Sequence, residues 1–470
     1  GKVRQACTAL IDHLAPEKPI ASSHSQDQLL PPSREMVTPN VARNARWFSS
    51  AGSTTICCAR GKRPFACARA GAYAAASVSK RNVPRRIWSR YYLVALALAS
   101  LSCSKKKPPD KPRVPIDHAH AAYVTDNGSD EISVIDRDGD SVVAVALDVD
   151  PDAHEAPHHL AVRSSDDKVF VALAFPPENQ GNGKHVGHGR ATQNGVLLTL
   201  DLQTLSVRDS RDTEQNPGDV ILTHDGSRVL VTHFDMARAM REAASGAVPA
   251  KMSAALQVWD ERSGTLWASR PICVAPHGVV TTADDSLAVV ACYGSDEIAF
   301  VDLTTPELST SRVPVGGTAG LLGAPRVGPY GIALSPDGEL GLVADMEGAD
   351  VRVIDVKTRA MKPGAGLAVT GRAMLPAFTS ARVALVPTQG PDALLRVNVA
   401  ENRLEKRATY TQNECKSPHV VRVAKDGRAY LVCEGDHVGK GTVLEIDPQT
   451  LDIKRRWTVG VLPDGIAFGD

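Results

Sequence analysis

Residues 122–136 read AYVTDNGSDEISVID: an alternating apolar run, a Gly/Asp/Ser turn and a second run closing on Asp. The pattern returns at residues 289–302 (VVACYGSDEIAFVD) and at residues 341–355 (GLVADMEGADVRVID). One pattern recurring at a period of tens of residues marks a repeat architecture, which decides the fold before any single element is considered.

Each unit also has an earlier half. Pro276-His277-Gly278 opens an apolar run at 279–282, and Asp284-Asp285 turns the chain into 287–291. The same order follows Pro157, Pro217, Pro329 and Pro418. Asp-Gly and Asp-Asp between short β-branched runs are hairpin signals, because these residues tolerate the backbone angles of a tight turn. Each unit therefore reads as four antiparallel strands, A to D, which is the content of a propeller blade. The second to fifth blades open near Pro157, Pro217, Pro276 and Pro329, a weaker sixth near Arg372, and a seventh at Pro418. The first begins at Ala121 with strand B, and the missing strand A is supplied by residues 462–470 (LPDGIAFGD). The expected fold is all-β: a seven-bladed β-propeller over residues 121–470, closed by its C-terminal strand pairing with the N-terminal blade. Closure of this kind does not leave strand B of the first blade as an exposed edge, and only short outer edges remain.

These repeats resemble the YVTN family of seven-bladed propellers, whose strand-B motif is matched by Tyr123-Val124-Thr125-Asp126, with Asp in place of Asn. The resemblance spans about residues 121–470 and extends to the broader class of lactonase-like propellers. It implies the fold; chemistry has to be argued from the site, because propellers host unrelated functions.

Residues 1–103 carry 15 Lys/Arg against 4 Asp/Glu, and the remainder 38 against 49, so the formal net charge of zero is a cancellation. Residues 1–82 lack hydrophobic periodicity and read as a disordered or over-extended translated leader. Residues 83–103 read as a signal peptide: Arg85, Arg86 and Arg90 precede the apolar stretch 91–101, then Ser102-Cys103, a core too short to span a bilayer. Cys103 resembles a lipoprotein acceptor, although Ser100 stands where the usual pattern has Leu. Residues 104–120 form a tether. The expected location is the periplasm or outer cell envelope, with lipidation at Cys103 and simple cleavage as the two routes and the membrane contacted only through this anchor. The rest of the chain is acidic with no basic stripe, the wrong field for nucleic acid, and a monomer is expected.

The propeller region holds four cysteines in two matching pairs. Cys273 and Cys415 each stand four residues before a histidine, and Cys292 and Cys433 each end a strand B. In an exported protein they read as two intrablade disulfides, Cys273–Cys292 and Cys415–Cys433; buried thiols and metal ligation are the alternatives.

The D–A and B–C loops of a propeller share one face. His154, His158, His159, His277 and His419 fall at D–A loops, and His233 and His437 at B–C positions. The two long insertions are B–C loops: 175–194 (FPPENQGNGKHVGHGRATQN), with His185 and His188, and 234–254, whose centre MARAMREAASG has helical composition. Nine of the twelve histidines beyond residue 103 thus gather on one face. The functional reading is a divalent or copper metal ion at the channel mouth, held by His158, His277, His419 and His233. The competing reading is that these histidines cap the turn that opens each repeat. Asp126, Asp130, Glu131, Asp296, Glu297 and Asp345 read as solvated turn residues, with calcium as the alternative. Asp136, Asp302, Asp355 and Asp447, each ending a strand D in this reading, are expected to bond the following turn. The Gly/His loop at 181–189 does not open a helix, so it lacks the context of a phosphate loop. Neither a Cys-x-x-Cys-His nor a Gly-x-Ser-x-Gly motif occurs.

Three functions follow. The first is a tethered scaffold that binds a partner protein or small ligand on the top face, with His185, His188, Met236, Arg238 and Arg241 in the gripping loops. The alternatives are a metal-dependent lactonase-like hydrolase and a redox-partner propeller with a His-rich metal site. No catalytic residue and no certain cofactor is assigned by the sequence.

Overall fold

The computed structural model describes residues 112–147, 149–150, 152–177, 188–316, 325–364 and 366–470. The leader, the signal segment, Cys103 and His185 lie outside these residues. Seven antiparallel sheets form the blades. Blade one is Pro463–Phe468, Ala121–Asp126, Glu131–Asp136 and Val142–Ala146 as strands A to D, so the C-terminal strand does close the ring. Blade two runs Pro157–Arg163, Lys168–Leu173, Asn194–Asp201 and Val207–Gln215. Blade three runs Pro217–Leu222, Arg228–His233, Ala254–Asp260 and Thr265–Cys273. Blade four opens with Pro276–Thr281 and Leu287–Cys292, blade five with Pro329–Leu334, and blade seven with Pro418–Val423 and Ala429–Cys433. Blade six is the irregular one, its inner strand broken into Arg372–Ala373 and Ala377–Phe378.

The alternating strands bury side chains on both faces, so the core is a set of layers between blades. One cluster joins blades one and two through Tyr123, Ile132, Val171 and Leu198, and another joins four and five through Val289, Phe300 and Ile354. The strand-end aspartates act as expected. Asp136, Asp302, Asp355 and Asp447 accept from the backbone N–H of Asp138, Thr304, Thr358 and Thr450 at 2.8–3.0 Å. They end strand C, however, and bond the C–D turn.

Both cysteine pairs are disulfides, with S–S distances of 2.02 Å for Cys273–Cys292 and 1.99 Å for Cys415–Cys433. The expectation of two intrablade bridges needs correction. Cys273 ends strand D of blade three and Cys292 ends strand B of blade four, so that bridge staples neighbouring blades. Each closes a loop of fewer than twenty residues, for which chain entropy predicts about 3 kcal/mol of stabilisation. Denatured, non-reduced protein should therefore show no free thiol from these four positions. Cys292→Ser should cost about 3 kcal/mol in denaturant unfolding, and four titratable propeller thiols would refute both pairings.

Among the described residues no helix is long and apolar enough to cross a membrane. The second insertion does contain a helix, α1 (Met236–Ala244), capped by the Asp235 carboxylate, which accepts from Arg238 N at 2.9 Å.

Candidate functional site at the channel mouth

Strand A opens the same way in six blades. The residue before its proline has a left-handed backbone (φ 49° at Ala156, 54° at Asn216, 50° at Ala275, 62° at Gly328, 54° at Ser417, 51° at Leu462), and proline then fixes the next φ. This corner starts each inner strand at the channel mouth. The residue after proline is His158, Gly218, His277, Tyr330, His419 or Asp464, and the next position adds His159 and Asp219. Glycine fills that next position in blades four, five and one, where inner strands approach most closely; a Cβ on Gly331 would lie 2.7 Å from Met374 O.

These side chains do not cap turns. His158, His277 and His419 are at most 1% exposed, and His159, Asp219 and Asp464 are also buried. Their rings meet in the channel: His158 to His159 4.4 Å, His158 to His277 5.8 Å, His159 to His277 5.6 Å and His159 to His419 6.3 Å between centroids. Tyr330 stacks on His277 at 3.8 Å. His188, returning from the long loop of blade two, lies 4.3 Å from His158 and 5.2 Å from His277. The sequence reading put it on a partner-gripping loop; the structure brings it into the imidazole cluster.

Buried carboxylates hold the rings. His158 Nδ1 contacts Asp464 Oδ2, and His159 Nδ1 lies 2.6 Å from Asp219 Oδ1. His419 Nδ1 contacts Glu434 Oε1 and lies 3.1 Å from Asp464 Oδ1, while the other Glu434 oxygen meets His437 Nε2 at 2.9 Å. A carboxylate on Nδ1 favours the proton there and leaves Nε2 as the lone-pair nitrogen, which is how metal-ligating histidines are oriented. The Nε2 atoms of His158 and His159 are buried without a hydrogen-bond partner among the described residues. One donor atom each from His158, His159 and His277 lie within 4.8 Å of one another, as do those of His159, His419 and Asp464.

The electrostatics follow from burial and pairing. Desolvation favours the neutral ring of His159 and lowers its pKa against the pull of Asp219. Burial acts the same way on His419, but Glu434 and Asp464 together outweigh it and raise its pKa. Burial alone would push Asp464 up; the imidazoles of His158 and His419 hold it well below the usual carboxylate range.

His233 stands apart from this set. Its Nδ1 bonds Gln215 O of blade two and its Nε2 bonds Gln257 Oε1 of blade three, both at 3.0 Å, so its ring is engaged at the junction of those blades. Of the three helix residues expected to grip a partner, Met236 is buried, Arg238 is tied to Ser253 O (3.2 Å) and Asp235, and Arg241 is exposed. Asp126, Asp296 and Asp345, expected to be solvated, are buried instead. Asp296 accepts from the N–H groups of Arg326, Val327 and Gly328 at 2.8–3.0 Å and so braces the next D–A loop. The carboxylates of the cluster, Asp219, Glu434 and Asp464, were missed from sequence. Asp464 and Asp219 follow their prolines by one and two residues, a signal visible once those positions are known to face the axis.

No family model and no curated protein matches the chain. Solved structures do. A functionally unknown protein from Desulfotomaculum acetoxidans aligns at 13% identity and TM-score 0.53, over 74% of this chain and 98% of that one. The periplasmic gluconolactonase of Pseudomonas aeruginosa aligns at 17% and 0.51, over 74% and 98%. A candidate 6-phosphogluconolactonase from Bacteroides fragilis aligns at 12% and 0.52, over 75% and 98%. The fold these proteins share with the chain is a seven-bladed β-propeller. At these identities the likeness speaks for the fold alone, and the imidazole cluster must be judged on its own geometry.

Proposed function

We propose that the channel mouth binds one transition-metal ion of the zinc or copper class, and that the protein is a metal-dependent hydrolase of small esters or lactones. The observation that carries this reading is the convergence of buried imidazoles from three inner strands, three of them backed by a carboxylate on Nδ1. Burying that many imidazoles and carboxylates is costly unless they act together, and lone pairs aimed into a shared space are what an ion would repay. His158, His159 and His277 would hold the metal, leaving an open position as catalytic sites require. A bound ion supplies Lewis acidity and a water acidified to a pKa near 7. Asp464, against the Nδ1 atoms of His158 and His419, would orient those two rings toward the ion. The partner-binding scaffold expected from sequence rests on the top loops, and of Met236, Arg238 and Arg241 only Arg241 is exposed. The two disulfides suit an oxidising compartment; the periplasm or outer envelope, with the tether at 104–120, is part of the same proposal.

Elemental analysis of protein purified without a histidine tag should find about one equivalent of Zn or Cu. The ion and any esterase or lactonase activity should be lost together in His158→Ala/His277→Ala. Asp464→Asn should retain the fold and weaken metal affinity by about 10–100-fold. A wild-type protein that retains no ion after dialysis against Zn²⁺ and Cu²⁺ would remove the proposal.

A further inference from the structure

Beneath the imidazole cluster the channel widens into a cavity of ≈ 320 Å³ lined by the inner strands of blades one, two, three and seven. Strand A begins at the mouth and ends at the A–B turns, so the lining descends from His159 and Asp219 to Lys425 and Asp470 at the lower rim. Its wall is apolar, with Val162, Leu222, Val423 and Phe468, except for Arg422. The fifth residue of the inner strand is Ala161, Ile221, Val280, Ala333 or Ala467 in blades two to five and one, and only blade seven places a guanidinium at that level.

Arg422 has no counter-ion among the described residues. Its side chain donates to the neighbouring Val421 O at 3.2 Å, and among the described residues no carboxylate forms a salt bridge with it. The nearby carboxylates are committed elsewhere. Asp219 is bonded by His159 Nδ1 and by the N–H groups of Val220 and Val279, and Asp470 pairs with Arg137 at 3.1 Å. Burial lowers the Arg422 pKa, with Asp219 opposing it only at a distance. A charged group walled by hydrocarbon and lacking a partner costs stability unless something supplies one.

We propose that this cavity is a binding site for a small organic carboxylate, its oxyanion held by the Arg422 guanidinium and its aliphatic body against the Val162 and Phe468 wall. The guanidinium offers the planar paired donors that match a carboxylate. The volume lies at the small end of ligand pockets. Lys425, at the open end, adds positive potential that draws an anion inward. The site is formed by the protein alone and does not depend on a metal at the channel mouth.

Calorimetry on EDTA-treated full-length protein, titrated with acetate, butyrate, hexanoate and hexanol, tests it. Affinity should rise from acetate to hexanoate, hexanol should not bind, and Arg422→Met should lose at least about tenfold in carboxylate affinity. Without ligand, Arg422→Met should melt no lower than wild type, since it exchanges a half-buried charge, without a salt bridge among the described residues, for an apolar side chain of similar length. Equal hexanoate binding by the two proteins, or none by either, would overturn the proposal. So would a large fall in the melting temperature of the variant, which would make Arg422 a structural group. The metal experiment above can fail without touching this result.

Discussion

Deleting residues 463–470 should unfold the propeller. The segment supplies the inner strand of blade one, pairing Phe468 with Ala122, Ala467 with Tyr123 and Ile466 with Val124. Its removal bares Ala121–Asp126, a strand buried at all six positions, as an unpaired edge beside the channel. It cuts two ties into the neighbouring blade as well. Asp464 Oδ2 contacts His158 Nδ1, and Ser164 Oγ donates to Gly469 O at 2.7 Å. Arg137, 2% exposed, loses Asp470 (3.1 Å) and keeps Asp426 (3.2 Å) across the junction with blade seven and Ala119 O (3.2 Å). Breaking a buried ion pair costs about 3–5 kcal/mol, and exposing a side chain such as Ile466 about 1.5–3 kcal/mol. Together with the lost ladder these approach the whole stability of a typical domain, roughly 5–15 kcal/mol. The expected result is insoluble or molten protein, with loss of near-UV circular dichroism and of a cooperative melt. A synthetic peptide covering 461–470, added during refolding, should restore the melt. A truncated protein that melts within a few degrees of the parent would show that the ring does not depend on this strand.

Asp126→Asn should stabilise the protein, and the gain should depend on pH. Asp126 ends strand B of blade one with no exposed surface, and burial pushes its pKa up to about 7 against the Ser133 hydroxyl, which donates to it at 2.6 Å. Between about pH 4 and pH 7 the folded chain holds this proton and the unfolded chain has released it, so stability falls as pH rises through that window and then levels. The full penalty is on the order of 4 kcal/mol at pH 8. Asparagine is neutral, nearly isosteric and able to accept from Ser133; it is also the residue the YVTN motif carries there. Guanidinium unfolding should show the variant more stable by a few kcal/mol at pH 8, with the two proteins converging toward pH 4. A difference that does not change with pH would mean that Asp126 is not the group responsible.

The same position shows where reading from sequence stops. Asp126 looks like a turn residue because Asn-Gly-Ser follows it, and local pattern carries no information about what covers a strand end. Blade one is covered by blade seven: a Cβ on Gly460 would lie 2.5 Å from the Asp126 carboxyl carbon. Asp296 is misread for the same reason, its partners lying 30 to 32 residues away. The disulfides were legible as pairs because the same spacing recurs twice. That Cys273 belongs to blade three was not, since a nine-residue strand D with exposed residues at four positions has no apolar alternation to mark its end.

The sequence by itself determined what is periodic: seven units, the closing strand, the turn aspartates, the cysteine pairing and the gathering of histidines on one face. Each follows from local rules, because alternation, turn chemistry and repeat spacing act over a few residues. Only the tertiary structure decided that the residue after each proline faces the axis and not a turn. It alone joined Asp219 to His159, and Asp464 to both His158 and His419, across separations of 60, 306 and 45 residues. It also left Arg422 facing a cavity without a counter-ion among the described residues. The physical reason is ring closure. Inner strands distant in sequence become neighbours around the axis, and a carboxylate's meaning there depends on which imidazole the closed ring sets beside it.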